Sequence, residues 1–186
     1  MNDDTSNNAA LLLENPEFAN ALQGIMVYQK FPKHHLLHEA GSICNHFHII
    51  ISGIARVFYF KEDKDITVHF SAEKESITTI DSLIQRKKSK YNIEALEDLE
   101  VFSVHINDME KLFENNPKYE RYGRLFMQQI YIELVERIDD LQLHTAQERY
   151  QTLLLKKPYL FQRVSSKHIA SFLSITPETL SRIRGK

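Results

Sequence analysis

The chain has 186 residues, 42% of them hydrophobic and 26% charged, enough for one large domain or two small ones around a sizeable core. Its formal net charge is −2, and its single cysteine, Cys44, excludes an intramolecular disulfide and argues against a cysteine-ligated iron–sulfur cluster. No apolar run approaches a membrane span and the Asn/Asp/Ser-rich start is unlike a signal peptide, so a cytoplasmic protein with no membrane partner is expected.

The near-neutral total hides an asymmetry. Residues 144–186 carry eight Lys/Arg against two acids, net +6, whereas residues 1–143 carry 15 against 23, net −8. A basic C-terminal piece on an acidic body is either a solvated tail or a head for nucleic acid. The helical apolar pattern inside it favours the head.

In chain order, residues 1–25 are polar and then weakly helical, over Ala9–Leu13 and Phe18–Ile25. Between about 26 and 105 come short alternating or apolar runs rich in β-branched and aromatic residues. Examples are Phe47-His-Ile-Ile-Ile, Ile54-Ala-Arg-Val-Phe-Tyr-Phe60, Ile66-Thr-Val-His-Phe70 and Val101-Phe-Ser-Val-His105. Strands at this spacing predict an antiparallel roll or barrel. Residues 75–82 could form a short helix or strap.

From Asn107 the period lengthens to that of a helix. Asp108–Asn115 reads as a short helix stopped near Pro117, and Lys118 to about His144 as one long helix of roughly seven turns. Within it Met127, Tyr131, Leu134, Ile138 and Leu141 recur at alternating steps of four and three, a heptad seam. Such a seam pairs with a second helix, most simply its own copy in a two-fold dimer, or packs on the chain's own strands. Leu125, Ile132 and Val135 lie on a different face and are available for the second task, so the seam is assigned to a homodimer interface. Thr145–Lys156 forms another helix with Tyr150, Leu153, Leu154 and Leu155 as its apolar face. Pro158 interrupts it and Tyr159–Val164 connects onward.

Residues 166–186 read as two short helices joined by a tight turn. Ile169, Leu173, Ile175, Leu180 and Ile183 sit where a helix-turn-helix buries apolar side chains, and Ala170 lets the helices cross closely. Thr176 can cap the second helix, with Pro177 at its first position, where a missing N–H costs nothing. Glu178, Ser181, Arg182 and Arg184 are left on the outer side of a helix that could lie in a DNA major groove.

This arrangement resembles the Crp/Fnr family of bacterial transcription regulators over nearly the whole chain from about residue 25. The strongest part is Ile169-Ala-Ser-Phe-Leu-Ser-Ile-Thr-Pro-Glu-Thr-Leu-Ser-Arg-Ile-Arg184. Weaker marks are Leu37-His-Glu-Ala-Gly41, Ile51-Ser-Gly-Ile-Ala-Arg56 and Ala95-Leu-Glu-Asp-Leu-Glu-Val101. The resemblance implies an α+β protein: an N-terminal antiparallel β-roll like a cyclic-nucleotide-binding domain with flanking helices (1–117), a long dimerisation helix (118–144) and a C-terminal helix-turn-helix (145–186). It implies a homodimer on a palindromic double-stranded DNA site, with RNA polymerase and an unidentified small-molecule effector as further partners.

Carried over residue by residue, Glu178, Ser181 and Arg182 are the expected base contacts. Arg182 can grip guanine O6 and N7 with parallel bonds, Glu178 can accept from a cytosine amino group, and Ser181 can meet a base edge or thymine methyl. Glu178 in the first turn also suits the helix dipole. Ser166, Lys167, Thr176, Thr179 and Arg184 are expected at phosphates, and His168 either joins them or packs as a neutral ring. Ser174 stands where the family usually has Gly in the turn, at roughly 1 kcal/mol if left-handed. The stretch between Leu155 and Ser165 is short for the family's β-hairpin wing, and the sequence ends just past the recognition helix, so a small footprint is expected.

Nucleotide-binding relatives carry Gly-Glu and then an Arg-Ser/Thr pair in the cassette between two strands. Residues 70–93 contain no glycine, and the arginine position falls at Ser89 or Lys90. Cyclic AMP recognition by the usual chemistry is therefore not expected. The run Arg86-Lys-Lys-Ser-Lys90 reads as an exposed charged loop. His34, His35, His38, His46, His48 and His69 fall in the roll, with His46 and His48 on one sheet face, but without a helical His-x-x-x-His they are read as surface residues, not as metal or haem ligands. No cofactor is expected. No phosphate-cradling glycine loop, nucleophile elbow or framed carboxylate pair points to an enzyme. The competing reading is a small-molecule-binding β-roll whose C-terminal helices mediate protein–protein assembly. Such helices would expose apolar anchors where this one exposes Glu, Ser and Arg.

Overall fold

A computed structural model describes Ala9, Leu12 and residues 15–185. The helical expectation over 9–13 falls largely outside these. The first helix, α1 (Pro16–Gln23), starts at Asn15, whose side chain accepts from the Phe18 amide, and Pro16 stands just inside. The strand-like runs then form two antiparallel four-stranded sheets. One has the order β1 (Val27–Phe31), β8 (Leu99–His105), β3 (His46–Ser52), β6 (Ser76–Ile77); the other has β2 (Leu36–His38), β7 (Asn92–Ala95), β4 (Ala55–Lys61), β5 (Lys64–Ser71).

Alternation along the strands sorts side chains between two cores. Ile50, Val57, Ile93, Ala95, Leu99 and Val101 fill the interior of the roll. Phe47, Ile49 and Val104 point outward beneath α1, α3 (Ile106–Asn115) and the long helix α4 (Glu120–Leu143). Gly53, at φ +103 between β3 and β4, is required: a Cβ there would lie 2.6 Å from the Asp98 carbonyl oxygen. Residues 75–82 divide between β6 and the start of the short helix α2 (Ile80–Gln85).

The long helix meets the roll through Tyr122, Phe126 and Ile130, one turn apart. Gly123 lets it approach Phe113, which a Cβ would meet at 2.7 Å. The second-face expectation is thereby corrected: Ile132 and Val135 are exposed and Leu125 is only half-buried, because the roll-facing stripe lies on the opposite side of the helix. Met127, Tyr131, Leu134, Ile138 and Leu141 are all exposed, from 37% at Met127 to 69% at Tyr131.

Beyond a capping box in which Thr145 and Glu148 each satisfy the other's backbone, α5 (Ala146–Lys156) follows. Only Leu153 of its apolar set is buried; Leu154 and Leu155 are exposed, another departure from the sequence pattern. The connector holds one helical turn, α6 (Leu160–Arg163), and no strand. Then come α7 (Ser166–Phe172) and α8 (Pro177–Arg184). Leu153, Leu160, Val164, Ile169, Ala170, Leu173 and Leu180 share one core with Ile54, Phe70, Ala72 and Leu96 of the roll, so the C-terminal helices are docked on the roll and not tethered beside it. No helix among the described residues is long and apolar enough to cross a membrane.

Truncating the side chain at the centre of this shared core, Phe70→Ala, is expected to cost about 3–5 kcal/mol in urea unfolding. Leu155→Ala, at a site 84% exposed, should stay within about 0.5 kcal/mol.

Candidate nucleic-acid interface

The two terminal helices meet through buried Ile169, Ala170, Leu173 and Leu180, with Ile175 and Ile183 only partly covered. Ser174 is left-handed at φ 55, and the Ile175 amide donates back to Ala170 O, closing the turn. The second helix begins as its sequence requires. The Thr176 hydroxyl accepts from the Thr179 amide at 3.2 Å, with Pro177 next in line.

With Leu180 locked inside, the outer face of α8 presents Glu178, Ser181, Arg182 and Arg184, all exposed. The Thr176 hydroxyl, the residue's own amide and Arg182 hold the Glu178 carboxyl below its usual value, so it is an acceptor at neutral pH. An Arg182 guanidinium nitrogen donates to the Thr179 hydroxyl at 3.1 Å. Arg184 donates to the Ser166 hydroxyl at 3.1 Å and lies over the Phe161 ring, 5.3 Å from its centre. Ser166, Lys167 and Thr176 are exposed on the same end of the head, and Thr179 is half-buried. His168 is drawn away from this group: its Nδ1 lies 2.9 Å from an Arg56 nitrogen on the roll.

The basic residues of the head divide into two sets. Lys156 pairs with Glu136 at 2.7 Å, Lys157 with Glu75 at 2.8 Å, and Arg163 with Glu73 at 2.6 Å and with Glu97. Arg149 donates to the carbonyls of His144 and Leu173. The two lysines and Arg163 hold the head to the body, and Arg149 ties the head to itself and to the end of α4. Lys167, Arg182 and Arg184 make no carboxylate ion pair among the described residues, and they lie on the outer face.

Sequence reasoning missed the network that anchors the head. Arg56 on β4 is 3% exposed. It makes paired bonds to Asp65 at 2.6 and 2.7 Å, donates to Glu94 at 2.8 Å and Thr67 at 2.9 Å, and stacks over Phe58 at 4.0 Å. Burial pushes the Asp65 carboxyl up, but the bonds and charge of Arg56 outweigh this and leave it below its usual value. The only trace in the sequence is one charge inside the apolar run Ile54–Phe60. Arg137 on α4 was missed as well: it donates to Phe172 O and stacks on that ring at 4.0 Å, with burial lowering its pKa to about 10.

In the roll, the surface reading of the histidines needs correction. His34, His35 and His46 are exposed, but His38 and His48 are buried. His48 Nδ1 is 2.7 Å from the Ser103 hydroxyl, and burial, then His46 and His38, lower its pKa to about 3. His69 is likewise brought to about 3 by burial, then by Lys157 and Arg137. No group of three His, Cys, Asp or Glu among the described residues is arranged to hold a metal. Among the described residues, His38 Nε2 on β2 and Thr79 Oγ1 in the cassette are buried with no hydrogen-bond partner.

Other cassette groups are engaged locally. Ser82 Oγ accepts from the Cys44 amide, Ser89 Oγ from the Tyr91 amide, and Arg86 makes two bonds to Glu110. Lys90 stays outside, exposed over the Tyr91 ring at 5.1 Å.

An eight-stranded roll, one long helix and a helix-turn-helix head define the architecture. Residues 28–116 match the cyclic nucleotide-binding domain family. Beyond that region the fold is shared with solved transcription regulators of the Crp/Fnr type. FixK2 from Bradyrhizobium japonicum superposes with a TM-score of 0.73 at 17% identity, covering 87% of this chain and 83% of that one. The c-di-GMP-responsive global regulator CLP of Xanthomonas campestris gives 0.72 at 14%, covering 92% and 90%. A crp/fnr-family regulator from Eubacterium rectale gives 0.68 at 15%, covering 91% and 81%. No curated protein sequence matches the chain.

The Arg163 guanidinium, the largest influence, holds the Glu73 carboxyl down at about 2, against burial and with help from the Gly53 amide. A depressed acid stabilises the fold above the ordinary carboxylate value near 4.5, and that stability is lost as pH falls toward 2. Glu73→Gln should therefore flatten the loss of thermal stability between pH 4.5 and 2, as followed by circular dichroism.

Proposed function

We propose that the chain is a sequence-specific DNA-binding transcription regulator that acts as a homodimer, with the recognition helix 176–184 in the major groove. The observation that carries the reading is the outer face of α8. A helix whose apolar side is fixed in a core exposes one acid, one hydroxyl and two arginines that make no carboxylate ion pair among the described residues. Protein-docking helices depend on exposed apolar anchors, and this face has none. Glu178, Ser181 and Arg182 are the base-reading residues; Ser166, Lys167, Thr176, Thr179 and Arg184 approach phosphates.

Dimerisation uses Met127, Tyr131, Leu134, Ile138 and Leu141. These five span about 21 Å of helix at 1.5 Å per residue. An apolar stripe of that length left in water marks an interface, and its heptad spacing suits a second copy of itself. The functional units are thus the roll with its flanking helices (1–117), the dimer helix (118–144) and the reading head (145–186). The roll is the input side, and its effector is not cyclic AMP bound in the usual way. The cassette offers no glycine, and its arginine is spent on Glu110. The geometry of a DNA reader, not of a catalyst, fits the chain.

Selection from random duplex DNA should yield a two-fold palindrome with TTGA-like half-sites, centres about one helical turn apart. Arg182→Ala should relax preference at one base pair per half-site, losing about 1–3 kcal/mol of discrimination. Full preference with uniformly weaker binding would make Arg182 a phosphate contact. Failure of any duplex to bind the intact dimer would count against the reading.

Ile138→Lys places a charge at the middle of the seam without touching the monomer's core. It should give monomers by light scattering, unchanged thermal unfolding, and about 100-fold or greater loss of affinity for the palindrome through lost bivalency.

A further inference from the structure

The helix-turn-helix is rigid within itself, so whatever holds α7 also aims α8. On the roll side α7 meets β5, the edge strand of its sheet, whose outward N–H and C=O groups would otherwise be unpaired. Ser171 satisfies one of each: its hydroxyl accepts from the Thr67 amide at 2.9 Å and donates to the Asp65 carbonyl at 2.9 Å. Three residues earlier, on the same helix face, His168 Nδ1 receives the Arg56 hydrogen bond at 2.9 Å. The same guanidinium nitrogen reaches Asp65 at 2.6 Å and Thr67 at 2.9 Å. From the other side Arg137 and Arg149 hold the last carbonyls of this helix and its turn, Phe172 O and Leu173 O.

We infer that His168 and Ser171 are positioning residues, fixed by Arg56, Asp65 and Thr67 of the β4–β5 hairpin, that set the orientation of the recognition helix and hence the half-site spacing of the dimer. The inference rests on the DNA-binding reading above.

The histidine gives this contact a pH sign. A guanidinium only donates, so Nδ1 accepts only while the ring is neutral, with its proton on Nε2. The charged groups facing the ring are Arg56 on β4, Asp65 on β5, Glu94 on β7 and its neighbour Lys167 on α7. His34 reaches the far oxygen of Glu94 at 3.1 Å. Burial, then Arg56, lower the His168 pKa from 6.5, with Lys167 adding to them and Asp65 and Glu94 opposing. For a base whose docked pKa is depressed, docking is fully present above about 6.5 and weakens as pH falls below it. Protonation of surface histidines would strengthen DNA binding in acid, so this contact has the opposite sign.

The test measures affinity for palindromes whose half-sites are moved apart in single base-pair steps, at pH 7.5 and 5.5. The wild-type protein should prefer one spacing by about tenfold or more. Ser171→Ala should flatten that preference to within about threefold and leave base preference inside each half-site intact. Acid should weaken wild-type binding at the preferred spacing by up to about tenfold per head. His168→Gln, which keeps a neutral acceptor, should retain the spacing preference and lose the acid effect. An unchanged spacing preference in Ser171→Ala, or a His168→Gln variant that titrates like the wild type, overturns the inference. If the wild-type protein binds no selected duplex, the DNA-binding reading fails, and the contact is then judged without DNA. Protection of the Thr67 amide from hydrogen exchange should fall in Ser171→Ala, and its retention overturns the positioning role.

Discussion

The buried guanidinium of Arg56 is the constraint around which the molecule is arranged. Taking such a charge out of water costs several kcal/mol, and the cost is offset only if every donor finds an acceptor. Asp65 and Thr67 of β5 and Glu94 of β7 supply most of these from the two strands that flank β4, and His168 supplies another from the head. The sheet must therefore be folded, with β4 correctly registered against both β5 and β7, before the charge is tolerable. Once satisfied, the cluster has little freedom to shift, because two carboxylates and two neutral acceptors converge on one buried guanidinium. Apolar packing between Phe70, Leu160 and Ile169 is not directional. Arg56 and Ser171 add direction, fixing which way the head faces as well as that it is attached.

The division of basic residues follows from the same demand. The head's excess of positive charge looks at first like one electrostatic footprint for DNA. Three of the eight basic residues instead face the body, with Lys156, Lys157 and Arg163 set against Glu136, Glu75, Glu73 and Glu97. Four acids of the body thus meet three basic residues of the head across their common boundary. What is left for a nucleic acid is a smaller group, Lys167, Arg182 and Arg184. For the dimeric reader proposed above, so few fixed charges would make correct spacing of two heads more important, since fewer phosphate contacts would compensate for a misplaced one.

How far the sequence carried depended on whether the information was local. The helix-turn-helix was legible because its period, its Thr176 cap, Pro177 and the small Ala170 all lie within sixteen residues. The strands and the long helix were legible by the same kind of pattern, and the exposed seam by its heptad steps. The Arg56–His168 contact spans 112 positions and leaves no periodic signal. The roll-facing stripe Tyr122, Phe126, Ile130 was overlooked because an apolar helix with two candidate faces does not reveal which one its own domain takes. His48 was misread because a histidine's burial depends on a partner on another strand, Ser103, 55 residues away.

The cassette shows why the input is harder to read than the output. A surface that reads DNA has to expose donors and acceptors, and the outer face of α8 exposes Glu178, Ser181, Arg182 and Arg184. An input site inside a roll is defined by what its neighbours leave unsatisfied. Here Ser82, Ser89 and Arg86 are satisfied by the chain itself, while His38 Nε2 and Thr79 Oγ1 are buried without a partner among the described residues. An unpaired buried polar atom costs about 1–3 kcal/mol, so two of them beside one helix are a strained spot in an otherwise well-paired roll. They lie on the β2 and α2 side, whereas the contacts that aim the head leave from the β4–β5 hairpin. β7 pairs with both β2 and β4 and also carries Glu94 to Arg56. One strand thus lies beside the β2 segment that carries His38 and itself carries a carboxylate that holds the guanidinium.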